Sequence, residues 1–156
     1  QKVQELAKYR SEFFGRLRAI LGDRPDIQIV GDRFVIQSEV LFDSGSADLN
    51  PGGTAQLQKV ADALKEISAE IPSDIAWVVR IDGHTDANPI HTAQFPSNWY
   101  LSTARAIAVV NFMVKAGVAP AHLVAAGFGE FQPIDPGTTP DAFKHNRRIE
   151  FKLTER

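Results

Sequence analysis

One carboxylate and one guanidinium have a spacing in this sequence that would place them on the two sides of a single cleft. Asp86 follows a strand-like run from Ile75 to Ile81, and Arg105 lies in the early turns of the helix predicted next. A carboxylate can hold an ammonium, and a guanidinium can hold a carboxylate through two parallel hydrogen bonds. These two residues therefore predict a binding site for a zwitterion shaped like an amino acid.

We expect Asp86 and Arg105 to pair with each other when the site is empty. A ligand would then exchange one ion pair for two, which predicts modest affinity because such pairs gain little net free energy. Arg147 lies at the start of the last predicted strand, where it either borders the pocket or braces a carboxylate or a loop carbonyl.

Two further polar residues belong to the predicted site. Asn98 opens the predicted helix and can act as its N-cap, contact the ligand through its amide, or do both. Thr85 offers its hydroxyl or its backbone to the pocket wall. We therefore expect Asp86, Arg105, Asn98 and Thr85 to bind the ligand.

A divalent metal site is the alternative chemistry that this segment raises, through His84, Asp86 and His91, since a His-x-Asp pair can bind such an ion. The sequence has no third ligand at a fixed spacing, and His91 falls in a proline-bearing loop. We expect His84 to pack under that loop and to hydrogen-bond the backbone. The prediction is no metal, no cofactor and no catalytic residue.

Composition limits the class of protein. The 156 residues suffice for one domain with a real core, and apolar and charged fractions of 44% and 23% are ordinary for a globular protein. The net charge of -2, with scattered Lys and Arg, argues against a nucleic-acid surface. Cysteine is absent, which excludes disulfides and thiolate metal sites. No apolar run approaches the roughly 18 residues of a membrane span. The chain begins at Gln1 without a signal peptide, so we expect a piece of a longer protein.

The first segment predicts an amphipathic helix from residue 3 to about 21, ended by Gly22 and Pro25. Its apolar residues recur at helical spacing: Val3, Leu6, Tyr9, Phe13, Leu17 and Ile20. This stripe suits docking on the same chain or a dimeric coiled coil. We divide the chain into residues 1–25, helix and linker, and residues 26–156, the binding domain.

The rest of the chain alternates strand-like and helix-like segments. Strands are predicted at residues 27–30, 33–36, 75–81, 122–128 and 147–153, and the first two form a hairpin over Gly31-Asp32. Helices are predicted over residues 51–69, with Asn50 as N-cap, and over 98–116. This order favours a two-layer α/β sandwich, in which two helices cover one face of a mixed four-stranded sheet.

Faces of these elements follow from their periodicity. Leu57, Val60, Ala61, Leu64 and Ile67 should be buried on the first of the two helices, and Leu101, Ala104, Ala108 and Phe112 on the second. The last strand alternates Ile149, Phe151 and Leu153 with Arg148, Glu150 and Lys152. That pattern predicts a sheet whose second face is solvated. Residues 129–145 contain three prolines and are expected to form a surface loop.

Five motifs in order resemble the OmpA-like peptidoglycan-binding domain family over residues 40 to 153. They are Phe42-Asp43 with Leu49, Gly83-His84-Thr85-Asp86, Asn98 with Leu101-Ser102 and Arg105-Ala106, Gly127-Phe128-Gly129 with Pro133, and Asn146-Arg147-Arg148-Ile149-Glu150. Within the family, Ala87-Asn88-Pro89 and Phe95-Pro96-Ser97-Asn98-Trp99 resemble the MotB-like branch, the flagellar stator subunit and its relatives.

The resemblance implies non-catalytic binding of peptidoglycan through the diaminopimelate of the stem peptide. Asp86 and Arg105 match the family positions that hold the ammonium and the carboxylate, and Asn98 matches a supporting position. It also implies a homodimer and a periplasmic location, as part of an inner-membrane protein with a membrane partner subunit. The sequence leaves open whether that parent protein is a flagellar motor stator, a static wall anchor or part of another envelope machine.

Two other functions remain as alternatives. One is a structural dimerisation domain of an envelope complex. The other is a metal-dependent cell-wall hydrolase, which would need a nucleophile or an activated water with an orienting partner. The sequence offers no such pair around His84 and Asp86, so the hydrolase is the weaker alternative.

Overall fold

The computed structural model describes residues 2–156, with side chains from residue 4 onward. Gln1, which opens the predicted first segment, and the side chain of Val3, assigned to the apolar stripe, lie outside that range. The helices and strands follow one another in this order: α1 (Lys2–Leu21), β1 (Ile27–Val30), β2 (Arg33–Gln37), α2 (Ser38–Leu41), α3 (Pro51–Glu70), β3 (Trp77–His84), α4 (Asn98–Lys115), β4 (Leu123–Gly127), α5 (Pro140–Asn146) and β5 (Arg148–Glu155).

Within residues 2–156 a single mixed sheet has the strand order β1-β2-β5-β3-β4. β3 and β4 are parallel and joined through α4, whereas the other neighbours are antiparallel. The predicted class, a mixed α/β sandwich preceded by a helix, is confirmed. The count of four strands was wrong, because the β1–β2 hairpin pairs along β5 and adds both of its strands to the sheet.

The core lies between the sheet and the helices α1, α3 and α4. β5 lies at the centre of the sheet, where the predicted inward residues Ile149, Phe151 and Leu153 are buried. The predicted face of α3 is buried too: Leu57, Val60, Ala61, Leu64 and Ile67. Asn50 caps α3 by accepting a hydrogen bond from the backbone of Gly53, and Pro51 is its first residue, both as predicted.

Helix α4 is rotated relative to the face that its apolar residues predicted. Besides Leu101, its buried face carries Ser102, Arg105, Ala106, Val109 and Met113, whereas Ala104, Ala108 and Phe112 are half-buried. Gly83 and Gly127 explain the rotation, because a Cβ there would collide with the carbonyl of Ser102 and with Thr103. The sheet thus admits the α4 backbone at close range, which turns small residues and Arg105 inward.

Helix α1 docks on its own domain, one of the two arrangements that its sequence left open. Phe13 and Leu17 are fully buried in the shared core, and Arg16 forms ion pairs with Glu66 and Glu70 of α3. Ile20, assigned to the apolar stripe, is instead 43% exposed. The boundary between residues 25 and 26 stays a prediction. No helix within residues 2–156 is sufficiently long and apolar to traverse a lipid bilayer.

The second face of the sheet is not solvated at its β3–β5 centre, contrary to the prediction for Arg148 and Glu150. Both residues are buried, and Arg148 Nε donates to Glu150 Oε2 at 2.7 Å. The segment after β4 covers them: its Phe128 ring stacks on His84, and the carbonyl of Gln132 accepts a bond from Arg148. Part of this predicted loop is helical, because Thr139 caps α5.

We expect Phe13→Ala to destabilise the whole domain by about 3 to 5 kcal/mol, because it leaves a cavity in the core that α1 and α3 share. Chemical denaturation measures the loss. Ile20→Ala, on the same helix but half-exposed, is the matched control and should cost less than about 1 kcal/mol. Equal losses for both variants would contradict the docking of α1.

The ion network behind β5 predicts an acid-dependent stability. Burial raises the pKa of Glu150, but His84 and the hydrogen bond from Arg148 outweigh it and lower the pKa to about 2, below the ordinary 4.5. The carboxylate therefore stabilises the fold above about pH 4.5, and this contribution is lost as the pH falls towards 2.

Glu150→Gln should accordingly cost about 2 to 3 kcal/mol at pH 6, since it leaves Arg148 buried and unpaired, and progressively less at lower pH. Denaturation of both proteins between pH 2 and pH 7 measures the difference. Glu66→Gln, a change at an exposed acid, is the control and should cost less than about 1 kcal/mol at pH 6, because water solvates both members of its pair with Arg16. A pH-independent gap between wild type and Glu150→Gln would refute the assignment.

Candidate functional site

A cleft of about 470 Å³ opens between α2, the loop after it, the loop after β3 and the first turns of α4. Its charged lining residues, within the described part of the chain, are Glu39, Asp86, Arg105 and Arg147. Polar and apolar groups complete the wall: Ser38, Phe42, Ser44, Gly45, Thr85, Asn88, Pro89, Ile90, Asn98 and Leu101. All four sequence-predicted site residues, Thr85, Asp86, Asn98 and Arg105, are therefore brought together at one cavity.

Asp86 reaches the cleft because it lies two residues beyond the end of β3. It is 7% exposed, and its Oδ1 accepts a hydrogen bond of 2.9 Å from the backbone N–H of Asn88. This bond to the backbone two residues further on forms an Asx turn, which fixes the carboxylate relative to its own loop. Oδ2 accepts a bond of 2.7 Å from Arg147 Nη1. The carboxylate is thus held in one orientation before any ligand arrives.

Arg105 reaches a different part of the cleft wall, from the buried face of α4. Its Nε donates to the carbonyl of Ser46 at 2.8 Å, and its Nη2 donates to the carbonyl of Asp43 at 3.2 Å. The guanidinium also lies over the Phe42 ring, 5.1 Å from its centroid. The predicted ion pair between Asp86 and Arg105 was wrong. Arg105 instead donates hydrogen bonds to loop carbonyls, and the carboxylate of Asp86 accepts one from Arg147.

Burial gives Arg105 an unusual electrostatic environment. Desolvation lowers the pKa of its guanidinium from 12.5 to about 10, while the carboxylates of Glu39 and Asp86 oppose that change. The side chain remains a cation at neutral pH. A partly desolvated cation binds an incoming carboxylate more strongly than a solvated one, since less water separates the two charges.

Arg147 and Glu39 are cleft residues that the predicted site did not include. Arg147 lies between two carboxylates, with Nε donating to Glu39 Oε1 at 2.6 Å and Nη1 donating to Asp86 Oδ2 at 2.7 Å. Of the two roles considered for Arg147, bracing a carboxylate is observed, at the border of the pocket. No motif in the sequence around Glu39 indicated a place in the site, because its partner Arg147 lies 108 residues away in the chain.

Asn98 is the first residue of α4 but not its N-cap, which is Ser97, so the capping hypothesis was wrong. Its Nδ2 instead donates to the carbonyl of Asn88 at 3.0 Å and lies 3.2 Å from Glu130 Oε1. Thr85 donates its hydroxyl to the carbonyl of Asp86 at 2.8 Å. Both side chains hold the loop that carries Asp86.

The side chains of the alternative metal site, His84, Asp86 and His91, do not lie together. His84 faces the buried network behind the sheet and lies 3.4 Å from Glu150, and His91 is exposed with Nδ1 3.1 Å from the carbonyl of Pro96. The backbone hydrogen bond expected of His84 is not found in the described part of the chain.

Among residues 2–156, a different set, Asp82, His84 and Glu150, offers donor atoms within 4.8 Å of one another. Each carboxylate already holds an arginine: Arg80 binds both oxygens of Asp82, and Arg148 binds Glu150. A cation would have to displace these guanidinium groups, so the set fits an ion-pair network better than a metal centre.

The chain is similar to proteins of one known family. The OmpA family matches residues 41–147. Motility protein B of Bacillus subtilis is 30% identical over 122 residues, which are 78% of this chain and 44% of the relative. The uncharacterized protein YtxE of the same organism is 35% identical over 120 residues, 76% of this chain and 46% of its own length. The chain thus spans about half the length of these relatives.

One more relative and two solved structures are also similar to this chain. The peptidoglycan-binding protein ArfA of Mycobacterium tuberculosis is 33% identical over 111 residues, 71% of this chain and 31% of the relative. A MotB-like protein from Desulfovibrio vulgaris superposes with a TM-score of 0.83 at 28% identity, over 99% of this chain and 94% of its own. The cell wall anchor of the T6SS from Pseudomonas aeruginosa gives a TM-score of 0.69 at 28% identity, over 97% of each chain.

We expect Asn98→Ala to loosen the loop between residues 86 and 97, since it removes the amide that ties this loop to α4. Hydrogen exchange of that loop should accelerate, and the free energy of unfolding should fall by about 1 to 3 kcal/mol. Asn111→Ala, at an exposed position of the same helix, is the control: it should leave the exchange of that loop unchanged and should not lower the free energy of unfolding, since alanine favours a helix more than asparagine does. Unchanged exchange in Asn98→Ala would contradict the role of the amide.

Proposed function

The chain belongs to the OmpA family, and from that membership we propose that it binds peptidoglycan without catalysis, through the diaminopimelate of the stem peptide. The observation that carries the proposal is the cleft, in which a buried carboxylate and a buried guanidinium line one cavity. Diaminopimelate carries an ammonium and a carboxylate on one carbon. A cavity with one fixed charge of each sign matches that pair.

The ligand's ammonium would bind Asp86, and its carboxylate would bind Arg105. Arg105 uses Nε and Nη2 for the carbonyls of Ser46 and Asp43, and Nη1 has no protein acceptor within the described residues. A ligand carboxylate can therefore add to the guanidinium without displacing the loop. The ammonium has to share Asp86 with Arg147, which supports an affinity that is modest rather than tight.

The similarities support the same ligand class. ArfA is named a peptidoglycan-binding protein, and the Pseudomonas aeruginosa structure is named a cell wall anchor. Both likenesses extend over more than two thirds of this chain. Attachment to the wall is accordingly the shared property that we carry over to this chain.

Binding rather than catalysis is favoured by how the charged groups of the cleft are occupied. Asp86 accepts hydrogen bonds from Arg147 and from a backbone N–H, so each of its two oxygens already has a partner. His84 and His91 do not belong to the described lining. Its hydroxyl groups, on Ser38, Ser44 and Thr85, form no hydrogen bond with a carboxylate or an imidazole, so the described lining holds no nucleophile paired with a base.

We extend the proposal to the parent protein. The chain would be the periplasmic wall-binding part of an inner-membrane protein, and would act as a homodimer beside a membrane partner subunit. The likeness to Motility protein B and to the MotB-like structure supports a part in motility, and we propose a flagellar motor as the machine. A static anchor or another envelope machine would use the same wall-binding step.

The test is a titration of meso-diaminopimelate, with a pull-down on purified sacculi, against wild type, Asp86→Ala and Arg105→Ala. Each substitution should weaken binding by about 2 kcal/mol or more, because one ligand charge is left unpaired in a partly desolvated site. Arg105→Lys keeps the charge but loses the planar fork, so its affinity should fall between wild type and Arg105→Ala.

Asp62→Ala and Arg18→Ala change an exposed acid and an exposed arginine away from the cleft and serve as matched controls. Thermal unfolding of every variant separates lost binding from lost folding. Equal binding by wild type, Asp86→Ala and Arg105→Ala would end the proposal.

A further inference from the structure

The four charges of the cleft are divided unequally between its two walls. Arg105 occupies one wall, where its hydrogen-bond partners are neutral carbonyls, so this wall carries one positive charge. Glu39, Arg147 and Asp86 occupy the other wall as a continuous chain of ion pairs, which we call the ion triad. Two carboxylates and one guanidinium give the ion triad one negative charge.

Glu39 determines that negative charge. A carboxylate bonded to one guanidinium is largely neutralised, and such a pair attracts a further ammonium weakly. In the ion triad, Arg147 divides its charge between Asp86 Oδ2 at 2.7 Å and Glu39 Oε1 at 2.6 Å. The second carboxylate restores the field that Arg147 would otherwise cancel.

The backbone keeps Glu39 beside Arg147. Glu39 belongs to the short helix α2, which follows β2 directly, and the buried residues Ser38 and Leu41 anchor that helix. The backbone N–H of Ser38 donates to the carbonyl of Arg147 at 2.9 Å. The side chain of Glu39 therefore meets that of Arg147 beside a backbone bond formed by its neighbour Ser38, although Glu39 and Arg147 lie 108 positions apart.

The electrostatic influence of Glu39 also reaches the other wall. Burial lowers the pKa of Arg105, and Glu39 is foremost among the charges that oppose this effect. For Arg147, burial acts to lower the pKa, and the hydrogen bonds to Glu39 and Asp86 raise it overall. Glu39 therefore interacts with both guanidinium groups of the cleft while its own side chain is 44% exposed.

We propose that Glu39 is a specificity-determining residue of the cleft, one that makes the ion triad anionic and thereby selects ligands carrying an ammonium next to a carboxylate. This inference rests on the proposed function, because it concerns the same ligand. Without Glu39 the cleft holds one negative and two positive charges, and it should favour plain carboxylates. Without Arg147 the balance reverses, and the cleft should favour plain amines.

The experiment uses three probes of similar length and different charge: meso-diaminopimelate, the diamine cadaverine and the dicarboxylate pimelate. Dissociation constants are measured by calorimetry or by NMR titration at low and at high ionic strength. Wild type should bind diaminopimelate more tightly than either of the other probes. In Glu39→Gln, diaminopimelate and cadaverine should weaken while pimelate holds or gains. The pimelate-to-cadaverine affinity ratio should rise by about tenfold at low salt and by less at high salt.

A double substitution makes the test sharper. Arg147→Gln alone should lower the pimelate-to-cadaverine affinity ratio, since it leaves the carboxylates of Glu39 and Asp86 without their guanidinium partner. Glu39→Gln combined with Arg147→Gln leaves Asp86 as the sole charge of the former triad, so the net charge returns to one negative. The ratio of the double variant should therefore return to within about threefold of wild type, a non-additive result that charge compensation predicts.

Two controls keep the outcomes distinct. Glu66→Gln removes an exposed acid that pairs with Arg16 on the far helices, and it should leave all three affinities unchanged. Glu39→Asp keeps the charge and should retain much of the wild-type ratio, whereas a purely structural role of Glu39 would not discriminate between probes.

An equal loss for the three probes in Glu39→Gln, or a double variant no closer to wild type than the worse single variant, would overturn the role of Glu39. Wild-type protein that binds neither diaminopimelate nor sacculi would overturn the proposed function, and this inference with it. Wild-type binding with an unchanged ratio in Glu39→Gln overturns the inference by itself.

Discussion

Asp86 and Arg105 remain separate charges because each one is bonded to a partner of its own. Arg105 donates to the carbonyls of Ser46 and Asp43, while Asp86 accepts from Arg147. If the two charges were paired with each other, a ligand would first have to break that pair in a poorly solvated site. Their separation leaves fields of opposite sign across one cavity of about 470 Å³. The ligand class and the charge preference that we propose both follow from this arrangement.

The sheet and the close packing of α4 create that separation. Gly83 and Gly127 let the α4 backbone approach the strands, which turns Arg105 towards the loop after α2 and away from solvent. On the other wall, the antiparallel register places His84 opposite Arg148. The residues next to this pair, Thr85 and Arg147, are consequently brought to the cleft, so that Arg147 can reach Asp86. Neighbouring arginines thus serve different sites, with Arg148 in the buried network and Arg147 in the cleft.

Much of the fold follows from local patterns. Asn50 and the proline after it start α3, Gly31 turns the first hairpin, and the alternation of β5 gives the correct inward face. Where prediction failed, a distant segment decided the outcome. Arg148 looks like a solvated strand residue until residues 128–146 fold over it, and the face of α4 is set by glycines on two strands rather than by its own apolar residues. Periodicity describes one element, whereas burial depends on what another element covers.

The sequence by itself determined that this chain has an α/β sandwich, the motifs of its family and four residues that line one cleft: Thr85, Asp86, Asn98 and Arg105. Tertiary structure decided which charges pair. Asp86 forms an ion pair with Arg147, 61 residues away in the chain, and Arg147 forms one with Glu39, 108 residues away. An ion pair depends on distances of a few ångströms and on local desolvation. Spacing along the chain encodes neither quantity for residues on different elements, so only the folded packing could select the partners.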